Sequence, residues 1–268
     1  MKTAIKLVLI YFLVQIISAV AVLIPTTIYN IIQGNQIGQV NSFSIALTMF
    51  LGFIIMGIYL WKEGYISKDK RTWSPVSIVY LIFSTFACLT TIFVIEYLQT
   101  QMPLLPNLLE STFDTLQSGW LGILSIAIFG PVLEELLFRG AITSALLKKY
   151  SPTKAIILSA LVFGIFHINP AQIITATLIG LLLGWIYYKT ASLIPCILIH
   201  ILNNSLSVYL SLKYPDTEYI RDLFTGNTYF IVLIAAIVVF VGSVLWMKRT
   251  TIPFPWKDNV EEMKEVKE

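Results

Sequence analysis

Charge is the scarcest property of this sequence. Only 12% of its 268 residues are Asp, Glu, Lys or Arg, whereas a soluble domain carries about 25%. The charged residues cluster in short stretches between long apolar runs, and 57% of all residues are hydrophobic. This composition excludes a soluble globular domain. The net charge of +3 is spread over the connections and forms no basic stripe, so we expect no nucleic-acid partner.

Cysteine and histidine are also rare, with two of each. Cys88 and Cys196 both lie inside apolar runs, which favours small buried hydrophobic side chains over a disulfide or a catalytic thiol. The sequence has no His-Glu-x-x-His zinc signature, and no Ser, His and Asp order typical of serine hydrolases is evident. Low-complexity segments and convincing internal repeats are absent as well. Common zinc-protease and serine-hydrolase chemistries are therefore not indicated.

The apolar runs predict an all-α, polytopic transmembrane bundle of about eight spans. Most runs approach the ~20 residues that a helix needs to cross a bilayer, where backbone groups must be paired within the segment. The predicted spans are 6–29, 42–61, 76–98, 120–149, 153–168, 171–188, 191–212 and 228–247. We divide the chain into an N-terminal three-span region (1–118), a core (119–212), and a last span with a short tail (213–268).

Lysine and arginine placement predicts the orientation in the membrane. If the N-terminus is cytosolic, fifteen basic residues fall on the cytosolic side and two, Lys213 and Arg221, on the other; Arg139 lies within a span and is not counted. Such a bias is typical of the positive-inside rule. We therefore predict a multi-pass protein of the cell membrane with both termini in the cytosol. The cytosolic group comprises Lys2, Lys6, Lys62, Lys68, Lys70, Arg71, Lys148, Lys149, Lys154, Lys189, Lys248, Arg249, Lys257, Lys264 and Lys267.

Three predicted spans contain polar side chains that lipid would penalise by at least ~2.5–3.5 kcal/mol for each charge. Helix rise places the polar groups of all three spans roughly 16–22 Å from the cytosolic ends of their helices. This agreement in depth predicts one convergent site. The residues are Glu134, Glu135 and Arg139 in the fourth span, His167 in the fifth, and His200 and Asn204 in the seventh.

The spacing of these residues predicts different roles for them. Glu135 and Arg139 are four residues apart and can pair on one helix face. Glu134 points about 100° away and remains available for chemistry. A carboxylate near a neutral imidazole can activate water. A second imidazole and a carboxamide, such as His200 and Asn204, can donate hydrogen bonds to the resulting oxyanion. This set of side chains fits hydrolysis of a peptide bond.

Three motifs on separate predicted helices resemble those of a known family, the CAAX protease and bacteriocin-processing (CPBP, or Abi) family. The family patterns are Glu-Glu-x-x-x-Arg, Phe-x-x-x-His and His-x-x-x-Asn, in this order. They match Glu134-Glu135…Arg139, Phe163…His167 and His200…Asn204 of this sequence. The three together are specific, whereas any one alone would be weak.

The resemblance implies a membrane-embedded endopeptidase. Glu134 would be the catalytic carboxylate, His167 would assist it in activating water, and His200 with Asn204 would form the oxyanion site. Of the supporting residues, Glu135 and Arg139 would shape the pocket, and Phe163, one turn before His167, would hold its ring.

The resemblance also implies a membrane-associated or lipidated peptide or protein as substrate, with the active site accessible from the cytosol. Eukaryotic members trim prenylated CAAX proteins, and bacterial members are linked to bacteriocin processing and immunity. We expect no cofactor. Zinc remains an alternative, and its ligands would be Glu134, His167 and His200.

Two other functions remain open on the sequence alone. Buried Glu, His and Arg also build proton relays, so a proton-coupled transporter is one alternative. A non-catalytic membrane scaffold or immunity protein that retains the motifs is the other. The sequence assigns neither a specific substrate nor an oligomeric state.

Overall fold

The structure is a computed structural model that describes residues 1–34, 41–102, 105–217 and 219–250, together with 254 and 256. This part of the chain forms nine α-helices and no strand, which confirms the predicted all-α polytopic bundle. The helices are α1 (Lys2–Ile32), α2 (Ser42–Lys62), α3 (Ile78–Thr100), α4 (Glu110–Gln117), α5 (Trp120–Leu147), α6 (Pro152–Phe166), α7 (Pro170–Thr190), α8 (Ile194–Lys213) and α9 (Thr228–Thr250).

Seven of the eight predicted spans correspond to described helices that are long and apolar enough to cross a bilayer. The exception is the predicted span 153–168, which forms the 15-residue helix α6. At 1.5 Å per residue, α6 is roughly 22 Å long, shorter than the ~30 Å hydrocarbon core. The chain turns back directly after α6 and continues into α7.

The outer surface of the bundle is apolar, as a lipid-facing surface must be. On α9, for example, Ile231 and Val238 are 67% and 65% exposed. The charged side chains of Glu135 and Arg139 lie in the interior instead, where they are almost completely buried. This inversion of the usual soluble pattern fits a protein whose polar site lies between its helices.

Packing places α5 and α8 at the centre of the site. Helix α8 packs against α5, α3 and α7, while α1 contacts α2, α5 and α6. Helices α6 and α7 form a tightly packed antiparallel hairpin, and α3 pairs with α9. The polar motifs on α5, α6 and α8 are therefore brought to one place by helices that contact one another.

The α6–α7 hairpin depends on a close approach at Gly164. A Cβ atom there would overlap Thr177 Oγ1 and lie 2.8 Å from the Ile173 carbonyl oxygen. We expect Gly164→Ala to lower the free energy of unfolding by about 1–3 kcal/mol, the usual cost of overpacking. Thermal unfolding of the detergent-purified protein measures this. Gly242→Ala in α9 is the matched control, because a Cβ there would meet no atom within 4 Å. Equal stability of the two variants would contradict the close approach.

Candidate active site

Helix α5, which contains the Glu-Glu pair, is not a uniform α-helix. The α-helical segment Gly130–Glu135 lies between two π-helical segments, Ser125–Phe129 and Leu136–Thr143. π-Helical turns are rare and occur frequently at functional sites. They leave some backbone groups without their ordinary partners, and these groups become available to side chains from other helices.

One such group is the carbonyl of Ile126. The Gly130 N–H, which would bond to it in an α-helix, donates instead to the Ser125 carbonyl. Pro131, the next residue, has no N–H to donate. The Asn204 Nδ2 group of α8 donates to the Ile126 carbonyl at 3.1 Å. The Gly-Pro pair in α5 thus creates the acceptor that holds the Asn204 carboxamide in place.

Glu135 forms the buried centre of the polar cluster. Its Oε1 atom accepts hydrogen bonds from Arg139 Nη1 and from His200 Nδ1, each at 2.7 Å. The Arg139 guanidinium also donates from Nη2 to the Gly180 carbonyl at 3.3 Å and lies 4.6 Å from the centre of the Phe163 ring. Glu135 links α5 to α8, and Arg139 links α5 to α6 and α7, as expected for residues that shape a pocket.

The contact with Glu135 determines the orientation of His200. A carboxylate only accepts hydrogen bonds, so the Nδ1 atom of His200 bears the hydrogen in this contact. The other ring nitrogen, Nε2, faces Glu134, at 3.7 Å from Oε2. The imidazole ring therefore connects the two adjacent glutamates, with one nitrogen directed to each.

Glu134 and Glu135 occupy different environments, as their positions on the helix predict. The Glu135 side chain is 0% exposed, whereas that of Glu134 is 19% exposed and lines a cavity. Within the described part of the chain, Glu134 Oε2 has no hydrogen-bond partner. Glu134 is thus placed to contact water or a substrate, while Glu135 is occupied by its neighbours.

His167 lies just after the end of α6 rather than inside a span, which corrects the predicted position. Its Nδ1 bonds to the Phe163 carbonyl at 2.8 Å, and because a carbonyl only accepts, Nδ1 bears the hydrogen and leaves Nε2 with a free lone pair when the ring is neutral. The Phe163 ring packs edge-on against both histidines, at 4.9 Å from His167 and 5.9 Å from His200. Phe163 therefore supports both rings.

A cavity of about 1030 Å³ unites these groups. It is lined by side chains of all three motifs, namely Glu134, Phe163, His167, His200 and Asn204. The predicted convergence of the three motifs is thus present in the structure. The catalytic roles assigned to the individual residues stay predictions.

The cavity is also lined by residues of α4 and of the connection at 215–217. These elements join ends of helices that the charge distribution assigns to the non-cytosolic side. None of the described residues that line the cavity belongs to the connections at 63–77, 148–151 or 191–193, which lie on the predicted cytosolic side. The expectations of cytosolic termini and of a cytosolic active site both stay predictions.

The cavity also contains residues that sequence reasoning missed. Tyr11 of α1 and Ser125 of α5 both line it, and the Ser125 hydroxyl is buried with no hydrogen-bond partner among the described residues. Both lie in apolar runs without a motif, so no sequence signal singled them out.

Asn169, in the turn between α6 and α7, was missed as well. Its side chain is buried, accepts from the Leu108 N–H at 3.0 Å and donates to Asn107 Oδ1 at 2.8 Å. These bonds tie the α6–α7 turn to the segment just before α4. The Asn-Pro pair at 169–170, a turn signal, could have indicated this break in the helical pattern.

For the alternative of a bound metal, the described part of the chain offers no preformed set of ligands. No group of three His, Cys, Asp or Glu side chains is arranged there to hold an ion. Metal independence stays a prediction.

Comparison with known proteins supports the resemblance. The family model described as Type II CAAX prenyl endopeptidase Rce1-like matches residues 116–206, a segment that includes all three motifs. The chain is 30% identical over 161 residues to "UPF0177 protein YxdF" of Lactococcus lactis subsp. lactis (strain IL1403), covering 57% of this chain and 87% of the relative. It is 29% identical over 113 residues to "Putative membrane peptidase YdiL" of Bacillus subtilis (strain 168), covering 42% of this chain and 46% of that relative.

No solved structure matches the chain significantly. The matched segment, the extent of YxdF that is covered and the multi-pass helical fold nevertheless agree with one another. On this evidence the chain belongs to the CPBP family of multi-pass membrane peptidases.

Proposed function

We propose that the protein is an intramembrane endopeptidase that hydrolyses a peptide bond in a membrane-associated or lipidated peptide or protein of the cell membrane. The observation that supports this most directly is the cavity in which Glu134 lies beside His200, while Glu135 and Arg139 form a buried pair behind it. The Glu134 Oε2 atom has no hydrogen-bond partner among the described residues. A structural ion pair alone would need only one of the two glutamates. Family membership favours a peptidase over a proton-coupled transporter or a non-catalytic scaffold.

In this mechanism a water molecule attacks the carbonyl carbon of the scissile peptide bond. The Glu134 carboxylate accepts the proton that water loses, assisted by the lone pair of His167 Nε2. Glu134 then transfers the proton to the leaving nitrogen as the carbon–nitrogen bond breaks. The products are a carboxylic acid and an amine, so no oxidant or further reactant is required.

The oxyanion of the tetrahedral intermediate would accept hydrogen bonds from His200 and Asn204. His200 can donate from Nε2 only when both ring nitrogens bear hydrogen, and the carboxylates of Glu134 and Glu135, at 3.7 and 2.7 Å, provide the counter-charge for that form. Asn204 uses one N–H to bond to the Ile126 carbonyl and retains a second. The bond to α5 thus orients the Asn204 carboxamide and leaves one of its N–H groups available as a donor.

The test is cleavage of quenched fluorescent peptides, plain and lipidated, by the detergent-purified protein. We expect wild-type protein to cleave a subset of them, with or without a strong chelator.

Asn204→Ala should lower kcat about 10²–10³-fold, the usual loss of one oxyanion donor. The matched control is Asn203→Ala, which removes a carboxamide that bonds only to Asn204 Oδ1 among the described residues; we expect less than about a tenfold loss. Equal kcat for wild type and Asn204→Ala would contradict the oxyanion role, and chelator inhibition would contradict metal independence.

A further inference from the structure

One side chain that lines the cavity, Tyr11, comes from α1, which lies outside the segment 116–206 matched by the family model. Helix α1 packs against α5, which contains Glu134, and against α6, which His167 directly follows. The residues assigned to the oxyanion site belong to α8 instead. Tyr11 therefore approaches the site from the side of the two residues that would activate water.

Packing fixes the Tyr11 ring near His167. The centre of the Tyr11 ring lies 4.6 Å from that of Phe166, and the Phe166 ring contacts the His167 ring with 6.0 Å between their centres. The Gln15 carboxamide, about one helical turn further along α1, lies beside the Tyr11 hydroxyl. Gln15 is itself confined by α2, because a Cβ atom at Gly52 would lie 2.5 Å from Gln15 Oε1. The ring and its hydroxyl are thus both held in place.

The Tyr11 hydroxyl is a polar group on an otherwise apolar wall. Of the described α1 and α2 residues that line the cavity, Tyr11, Met49 and Phe53, only Tyr11 has a side-chain hydrogen-bond donor. It lies within electrostatic range of the Glu134 carboxylate, whose Oε2 has no hydrogen-bond partner in the described part of the chain. A phenol donates one hydrogen and also accepts, so it can accept from the Gln15 amide and still donate into the cavity. A donor is therefore available beside Glu134.

The chemistry of peptide hydrolysis leaves a place for such a donor. The Glu134 carboxylate and the lone pair of His167 Nε2 both accept, so the attacking water donates its two hydrogens to them. Neither group then holds the water oxygen by its lone pairs. A donor on one lone pair leaves the other directed to the carbonyl carbon, and orientation of the reacting atoms is a large part of catalysis.

We propose that Tyr11 is a further catalytic residue, whose hydroxyl donates a hydrogen bond to the attacking water and orients it between Glu134 and His167. This proposal rests on the proposed peptidase function. Tyr11 keeps its hydrogen throughout, because the water oxygen bonds to the carbonyl carbon while the proton that water loses passes to Glu134. Helix α1 thus completes a site whose three motifs lie on other helices.

Tyr11→Phe removes only this hydroxyl. We expect kcat for the best fluorescent peptide to fall about 10–10²-fold, as for other losses of orientation. KM should stay within about twofold of wild type, because the hydroxyl bonds to the attacking water and not to the bound peptide. The thermal unfolding midpoint should not change, since phenylalanine retains the contact with Phe166. The matched control is Tyr209→Phe, which removes the same group from an α8 side chain that is 58% exposed, and it should leave kcat and KM as in wild type.

A double variant separates this role from a structural one. Glu134→Gln removes the base that the oriented water serves, so adding Tyr11→Phe should lower the residual kcat by less than about threefold. Residues that act on one water are non-additive in this way, whereas a structural disturbance would multiply the two losses. Multiplication of the two losses, or a wild-type kcat for Tyr11→Phe, overturns the proposal.

Failure of this proposal can be told apart from failure of the peptidase function. If wild type and Tyr11→Phe cleave peptides equally well, the peptidase function stands and the role of Tyr11 falls. If wild type cleaves none of the plain or lipidated peptides, the peptidase function falls, and the role of Tyr11 falls with it. A rise in KM at unchanged kcat would assign the Tyr11 hydroxyl to peptide binding, and it too overturns the orienting role.

Discussion

Replacement of Glu134 by glutamine should abolish peptide hydrolysis while leaving the protein folded. Glutamine has nearly the same shape but cannot accept the proton of the attacking water, so we expect kcat to fall about 10³-fold, within the usual range for loss of a general base. Stability should change little, because Glu134 is partly exposed to the cavity and its Oε2 has no hydrogen-bond partner in the described part of the chain. Initial rates on the best fluorescent peptide and the thermal unfolding midpoint measure the two effects.

The matched control for this substitution is Glu135→Gln. Glu135 is fully buried and accepts from both Arg139 and His200, so its replacement should lower stability as well as activity. Glu134→Gln should therefore separate activity from stability, whereas Glu135→Gln should not. Full hydrolytic activity of Glu134→Gln would contradict its role as the catalytic carboxylate.

Hydropathy and helical geometry were sufficient to predict much of this architecture. Long apolar runs predicted the helices, and the depth of Glu134, His167 and His200 along their helices predicted a common site. Both predictions rest on quantities that the sequence contains, namely apolar length and rise per residue. The different environments of Glu134 and Glu135 also followed from the angle between adjacent residues on a helix.

Other features depend on contacts that no local pattern encodes. The π-helical segments on either side of Gly130–Glu135 are five and eight residues long, too short to change the apolar pattern of the run, so they were not predicted. The early end of α6 at Phe166 leaves His167 in a turn, although its apolar run continues to Ile168. The bond from Asn204 to the Ile126 carbonyl joins residues 78 positions apart. The cavity that unites the three motifs likewise needed the packed helices.

Two sequence-based expectations remain predictions. One is the division into regions 1–118, 119–212 and 213–268. In the structure helices of different regions pack together, since α1 contacts both α5 and α6. The orientation with cytosolic termini rests on the Lys and Arg distribution. Labelling of Ser67→Cys, in the exposed connection at 63–77, with a membrane-impermeant maleimide in intact and in permeabilised cells tests the orientation directly.

Replacement of Arg139 by glutamine should be the most destabilising of the changes considered. Arg139 is 1% exposed and provides the cation for Glu135, which is 0% exposed. Removing one partner of a buried ion pair leaves an uncompensated charge and typically costs about 3–5 kcal/mol. The variant also loses the bond to the Gly180 carbonyl and the contact with the Phe163 ring. Unfolding of the detergent-purified variant measures the loss.

The control for Arg139→Gln is Arg221→Gln, because Arg221 is 51% exposed and its Nε atom lies 3.9 Å from Asp222. An exposed pair of this kind contributes about 0–1 kcal/mol, so this variant should unfold almost like wild type. The double variant Glu135→Gln/Arg139→Gln removes both buried charges, and it should be more stable than Arg139→Gln alone. If Arg139→Gln instead retains wild-type stability, the Glu135–Arg139 pair does not hold α5 to its neighbours. The pair behind Glu134 would then contribute to the chemistry alone.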